Sequence, residues 1–367
     1  MSQRIAFDRV DWVNTVFLFF ISAVAVIGAP IYLWHYDMGW FMGSLFAFYI
    51  IATGLSITLG YHRLFSHLSF KAKWPVRLAT LVFGACAFEN SALSWVSDHR
   101  RHHKHTDHDD DPYDISKGFL WAHMGWILFR VSPVPPLDNV ADLRKDRLVM
   151  WQDRWDKLLA VGVGILLPTV LGFVTGGWIG ALGGLLVVGA LRVFLVQQCT
   201  FFINSLCHTV GRQPYSTKCS ARDSTMMAFL TFGEGYHNFH HEFQHDYRNG
   251  VKGWSFDPTK WSIWVLERCG LASNLRRVPA SRILLAEMAE ARRKADVQLA
   301  GLEASETVCE RAREAIHEIK AQLTKNYHDL ERAMSEKVEM SKKVMSDWQR
   351  ETRELMARLS HVRPQAA

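Results

Sequence analysis

The chain has 367 residues, of which 49% are hydrophobic and 21% charged, with 22 Phe, 14 Trp and a formal net charge of +6. So much apolar side chain excludes extensive disorder, and six scattered cysteines without a CxxC pair exclude a disulfide scaffold. The modest positive charge suits a face laid against anionic lipid better than a nucleic-acid-binding surface.

Apolar and charged residues are segregated into blocks, as in a membrane protein. Residues 13–33 carry no charge and are long enough to span a core of about 30 Å at about 1.5 Å per helical residue. They lack the basic start and small-residue cleavage site of a signal peptide. After a turn at His35-Tyr36-Asp37, residues 39–60 make a second span. Residues 158–175 and 178–198 make a third and a fourth, separated by Gly176-Gly177. The expectation is an all-α integral membrane protein with four transmembrane helices in two hairpins. The hairpin tips hold no Lys or Arg, whereas Arg4, Arg9, Arg63, Lys71, Lys73, Arg77, Arg100, Arg101, Arg144, Lys145, Arg147 and Arg154 crowd the other ends. The positive-inside rule then puts both termini and the polar sequence in the cytosol, as a helical cap. Residues 78–92 and 118–129 are apolar but are expected to lie at the interface without crossing. Arg192 falls inside the fourth span with no evident acidic partner, a costly placement for which a structural role is expected.

The 17 histidines are the strongest chemical signal. His62 and His67 form HxxxxH after the second span. His99, His102 and His103 form HxxHH, and so do His237, His240 and His241. Asn204 and His208 lie four residues apart at the end of the fourth span. Positions i, i+3 and i+4 share a helix face, so each HxxHH is expected to aim three imidazoles at one point. Imidazole binds Fe, Zn, Cu or Ni, which leaves the metal unnamed. Nine such histidines are too many for one four-coordinate zinc and suit two metals with open positions. His105, His108, His123 and His245 are expected to be bystanders.

The sequence resembles the membrane-bound acyl-CoA Δ9 desaturases, the stearoyl-CoA desaturase family, from about Trp12 to Arg277. The resemblance rests on Ile57-Thr58-Leu59-Gly60-Tyr61 before His62, on Trp95 and Asp98 before His99, on Asn204-Ser205 before His208, and on Gly233-Glu234-Gly235-Tyr236 before His237. It implies a di-iron centre of two Fe ions held by His62, His67, His99, His102, His103, His208, His237, His240 and His241, with Asn204 holding a water. It further implies O2-dependent removal of two hydrogens from a saturated long-chain acyl-CoA, giving a cis double bond in unsaturated fatty acid synthesis. The chain shows no cytochrome b5-like HPGG and no iron–sulfur cysteine pattern, so a separate electron donor is expected, of ferredoxin, rubredoxin or cytochrome b5 type.

An acyl chain would thread a bent tunnel past the metals, with Trp95 and Thr200 shaping the bend and Phe46 and Ile50 closing the far end. Asn90, Asp98 and Arg130 match the family's head-group contacts. Ser97 and Val131 stand where the family has Arg and Lys, and Glu89 replaces a Gln. Losing two cations weakens phosphate recognition, which keeps acyl carrier protein or an intact lipid open as the acyl carrier. Lys71, Lys73, Arg100 and Arg101 could compensate in part.

Residues 280–361 are rich in Ala, Glu, Arg and Lys. Ile316, Ile319, Leu323, Tyr327, Leu330, Met334 and Val338 recur every three or four residues. The spacing predicts one amphipathic helix of many turns with coiled-coil character. The chain divides on this basis into a desaturase-like domain over 1–279 and a tail over 280–367, for which regulation, self-association, donor docking or folding back on the cap are open. Two other functions compete. A membrane di-iron hydroxylase would share the histidines and differ only in its product. A metal transporter would place its ligands near mid-bilayer, whereas these histidines lie beyond the span ends.

Overall fold

The computed structural model describes residues 9–130, 136–303, 310–336 and 340–362. Arg4, Val131, Cys309 and Val338 lie outside the described residues. The chain falls into two compact units, Met1–Gly211 with Cys219–Arg276, and Arg212–Lys218 with Arg277–Ala367.

In the first unit, three helical runs among the described residues are long and apolar enough to cross a membrane. They are α1 (Trp12–His35), α2 (Gly39–Ser66) and the 62-residue run Arg147–His208. The third run is broken at Gly176 (φ −145°, ψ 18°) and Gly177 (φ 58°, ψ −148°). The positive φ at Gly177 is cheap only without a Cβ. The backbone doubles back there, and Gly172 and Gly180 pack so closely that a Cβ on either would strike the other's carbonyl oxygen.

Between the long runs lie two shorter helices, α3 (Trp74–Ala85) and α4 (Ala92–His105). α3 has 12 residues, too few to cross. The apolar stretch near residue 120 forms two short contiguous pieces, Trp121–Gly125 and Trp126–Leu128. The two arms of the long run are α5 (147–175) and α6 (178–208). Beyond them come α7 (Thr225–Leu230), α8 (His237–Glu242) and α9 (Pro258–Arg268). A two-stranded antiparallel ribbon, with Lys71 opposite Ser273 and Ala72 opposite Ala272, pins the segment after α2 to the segment after α9.

The main core joins the end of α2 to these shorter helices through Ile57, Tyr61 and Phe65 of α2, Leu81 of α3, Val96 of α4, Val149 of α5 and Ile263 of α9. Arg63 is fully buried within it. Its guanidinium donates to Glu234 (2.8 Å), to Asp257 (2.9 Å) and to the Tyr247 carbonyl (2.7 Å). A cation shared between two carboxylates and a carbonyl is the kind of compensation that permits such burial.

In the second unit the described residues form three helices, α10 (Ala280–Glu303), α11 (Glu310–Ser335) and α12 (Lys342–His361), and the amphipathic spacing from Ile316 to Met334 lies on α11 as expected. Ile316, Ile319 and Leu323 of α11 are buried against Ala291, Ala295 and Leu299 of α10 and Leu355 and Leu359 of α12. The apolar stripe is thus covered within the chain itself. A new helix starts at Ser341, whose side chain caps the amide of Val344.

Candidate metal centre

The histidine motifs converge on two adjacent groups in the first unit. One holds His62, His67, His99, His103 and His240, and the other His102, His208, His237 and His241. Within each group the ligand-type nitrogens lie within 4.8 Å of one another. This corrects the expectation that each HxxHH aims all its rings at one point. On α4, His99 and His103 serve the first group and His102 the second; on α8, His237 and His241 serve the second and His240 the first. Positions i and i+4 are offset by only about 40° on a 3.6-residue helix, whereas i+3 lies on the other flank of i.

His62 and His67 reach the same group for a different reason. Residues Ser56–Ser66 are wound as a π-helix, and the amide of His67 bonds the carbonyl of His62, five residues back, at 3.1 Å. Residues five apart face different sides of an α-helix but stack in π-type winding, a distortion common at functional sites.

The ring contacts test whether metals fit. Nε2 of His62 and His240 lie 3.0 Å apart, those of His67 and His99 2.8 Å, and those of His103 and His240 2.9 Å. In the second group the pairs His208–His237 and His237–His241 each stand at 3.1 Å. Ligands about 2.1 Å from one ion, at right angles, would be about 3.0 Å apart. The Nδ1 sides are held from behind. His62 Nδ1 lies 2.8 Å from Glu234 and His102 Nδ1 2.8 Å from Asp111. His208 Nδ1 donates to Ser220 Oγ (2.7 Å), whose hydroxyl donates to Asp107 (2.6 Å). Such partners fix the tautomer and leave Nε2 with a lone pair. Lone pairs turned toward each other at 3 Å repel unless a cation sits among them.

Electrostatics agree. Burial, and then the crowding of neighbouring imidazoles, holds His99, His103 and His240 far below the ordinary histidine range, so they are neutral. Burial alone would raise the Glu234 carboxyl, but Arg63 and His62 outweigh it and pull it down. Asp111 is likewise pulled down against its burial, first by His102.

A cavity of about 1100 Å³ runs to both groups. His62 and His99 of the first, and His102 and His237 of the second, form part of its wall. Ile50, Asn90, Trp95, Asp98, Arg130, Thr200 and Asn204 all line it. Trp95 stacks on His99 with centroids 4.9 Å apart, and its indole donates to Glu89 at 3.2 Å. Phe46 does not reach the cavity. One turn farther from the histidines than Ile50, it packs with Ala29, Tyr32 and Val187, and with Met42, Tyr49 and Val188, filling the contact between helices. Ser97 is also buried away from solvent and donates to Asn139 at 2.7 Å. Lys71 and Lys73 are not in the cavity wall. Arg100 is occupied by Asp142 and by the carbonyls of Phe65 and Asn139. Arg101 and Lys117 do line the cavity; Lys117 was missed from the sequence because an isolated lysine gives no signal.

The four presumed bystanders stand outside both groups. His123 bonds Ser205 and Gln198, and His245 donates to the carbonyl of His67 at 2.8 Å. Glu234, Asp111, Asp107 and Ser220, the supports behind the rings, were not singled out as site residues. The Gly-Glu-Gly-Tyr run was the available signal for Glu234; for the others only contact in space reveals the role.

Residues 38–247 match the family model "Fatty acid desaturase". The chain is 40% identical over 273 residues to acyl-CoA desaturase 1 of Saccharomyces cerevisiae, covering 72% of this chain and 52% of the yeast protein. It is 32% identical over 277 residues to stearoyl-CoA desaturase 4 of Mus musculus, covering 74% and 77%. It is 33% identical over 273 residues to the sn-1 stearoyl-lipid 9-desaturase of Anabaena variabilis, covering 73% and 94%. The chain belongs to the fatty acid desaturase family. It spans about half the length of the yeast relative and of the probable acyl-CoA desaturase of Schizosaccharomyces pombe.

Proposed function

We propose that this protein is an O2-dependent Δ9 desaturase of saturated long-chain acyl-CoA, with two iron ions held by the nine histidines and a water carried by Asn204. The observation that bears most weight is that both histidine groups open onto one cavity of about 1100 Å³ that Ile50 also lines. A centre of this kind supplies activated oxygen strong enough to break an unactivated methylene C–H bond, which no side chain can do. In the overall balance one O2 and two electrons with two protons become two waters, and the acyl chain loses two hydrogens to form the alkene. The electrons come from a separate one-electron donor protein.

The residues of this chain bind, orient and exclude water. Arg101, Lys117 and Arg130 offer cations to the CoA phosphates, where charge-assisted bonds are strong. Trp95 and Thr200 press on the chain where it passes the histidines, and Glu89 behind Trp95 fixes the indole. Glu234, Asp111 and the Ser220–Asp107 pair keep the rings aimed. The reading includes four transmembrane helices in two hairpins, the arms of α5 and α6 being the second hairpin, with the site and both termini in the cytosol. Residues 280–367 form a separate tail domain, open to self-association. By their names, some relatives are acyl-CoA or stearoyl-CoA desaturases, and those called 9-desaturases act on lipids. Lys117, Arg130 and Arg101 support the CoA reading, with Arg101 also donating to Pro136 O and Asp138, and with Asp98, Asp109 and Asp110 in the same wall.

Expression in a host with iron and a donor protein, followed by double-bond mapping of total fatty acids, tests this. A new cis monoene at one position, absent from His99→Ala, supports it. A hydroxy acid instead would move the assignment to hydroxylase, and silence with donor and iron supplied would overturn it.

A further inference from the structure

Arg192 is fully buried in α6, inside a segment apolar enough to span a membrane. Among the described residues its guanidinium meets three carbonyls and no carboxylate. It bonds Val188 O on its own helix, Gly164 O on α5 at 2.6 Å and Cys86 O just past the end of α3. Gly164 leaves the space for this, since a Cβ there would come within 3.3 Å of the guanidinium and 3.2 Å of the Cys86 side chain. Five residues along α6, the Gln197 amide donates to the next two carbonyls, Ala87 O at 3.2 Å and Phe88 O at 3.0 Å. Three consecutive carbonyls are therefore turned onto one helix.

These carbonyls follow the C-terminus of α3, where the helix leaves acceptors without intrahelical partners and its dipole favours a cation. Phe88 (φ 58°) and Asn90 (φ 72°) both sit in the left-handed region, costly for a bulky residue such as Phe. Phe88, Glu89 and Asn90 all line the cavity, and Glu89 takes the Trp95 indole. The helix that grips this loop also carries Thr200, Asn204 and His208.

We propose that Arg192 and Gln197 are positioning residues that fix the 86–90 loop against α6, and thereby set which acyl carbon faces the histidine groups. The inference rests on the desaturase reading. The charge inside α6 is a strut between the helix that carries Asn204 and His208 and the part of the cavity wall formed by the 86–90 loop. Loss of the strut lets the loop relax, Trp95 loses its fixed backing, and the chain slides by a carbon or two.

The test compares the wild type with Arg192→Met, Arg192→Lys and Gln197→Met, each purified in detergent and expressed with a donor protein. Double-bond positions, iron per chain and hydrogen exchange of the 86–90 amides are read together. Wild-type iron content, exchange over 86–90 about tenfold faster, as for one lost hydrogen bond, and a spread of double-bond positions are expected. Arg192→Lys, which can reach fewer carbonyls, should fall between. One unshifted position with wild-type exchange in every variant overturns the inference and leaves the desaturase reading intact. A wild type that makes no alkene overturns both. If Arg192→Met does not fold, Arg192→Lys and Gln197→Met decide through the exchange of the 86–90 amides read beside the double-bond positions, because Gln197 also lines the cavity.

Discussion

Glu234 Oε2 lies 2.8 Å from Nδ1 of His62, while the other oxygen of the same carboxylate is 2.8 Å from Arg63, the next residue along the chain. One buried acid thus orients a ring of the metal site and neutralises a core cation. Glu234→Gln should lower iron affinity by roughly 10–100-fold, as for other residues that back metal ligands. It should also cost about 3–5 kcal/mol by leaving Arg63 under-compensated. Iron titration and denaturant melts separate the two effects, and unchanged iron affinity would show that the contact is structural only.

His99 and His102 are neighbours on α4 but belong to different groups. His99→Ala and His102→Ala should each lower iron toward one per chain, and the double variant toward none. Metal analysis of the three proteins checks this. If either single variant loses both ions, the two sites load as a unit.

Glu89 is pushed up to about 8, by burial above all. Its folded value is higher than its unfolded one, so below about pH 4.5 it costs nothing relative to a neutral residue. The cost grows as pH rises from there to about 8 and then levels off, reaching roughly a few kcal/mol. Glu89→Gln should match the wild type in stability at pH 4.5 and exceed it increasingly toward pH 8. Paired melting curves across that range would refute the assignment if they stayed parallel.

Arg130→Ala and Arg101→Ala should raise KM for acyl-CoA, each by about 10–100-fold, as expected for one charge-assisted phosphate contact. The double-bond position should stay fixed. Steady-state kinetics on acyl-CoA and on the free fatty acid make the comparison, and an equal rise for both substrates would argue against a head-group role.

Much of this was legible in one sequence because its signals are local. Uncharged runs of about twenty residues mark α1, α2 and the α5 arm, a run interrupted only by Arg192 marks the α6 arm, and histidines at fixed spacing mark the metal groups. What the sequence misjudged depends on contacts across the chain. Whether Ile50 or Phe46 meets the cavity is a matter of one helical turn and of which helix packs beside it. The partners of Arg192 are backbone carbonyls, which no residue type announces. The division of each HxxHH between two groups follows from angles that the spacing contains, once two centres are considered in place of one.

That division has a mechanical consequence. Each short histidine helix is a yoke across the two ion sites, two rings to one side and one to the other, and α8 crosses with its sides exchanged relative to α4. If each group held one ion, the separation of the two would be ruled by the peptide geometry of these helices. A single-residue insertion between His99 and His102 would rotate the yoke by about 100° and decouple the pair, even though every ligand remained in the chain.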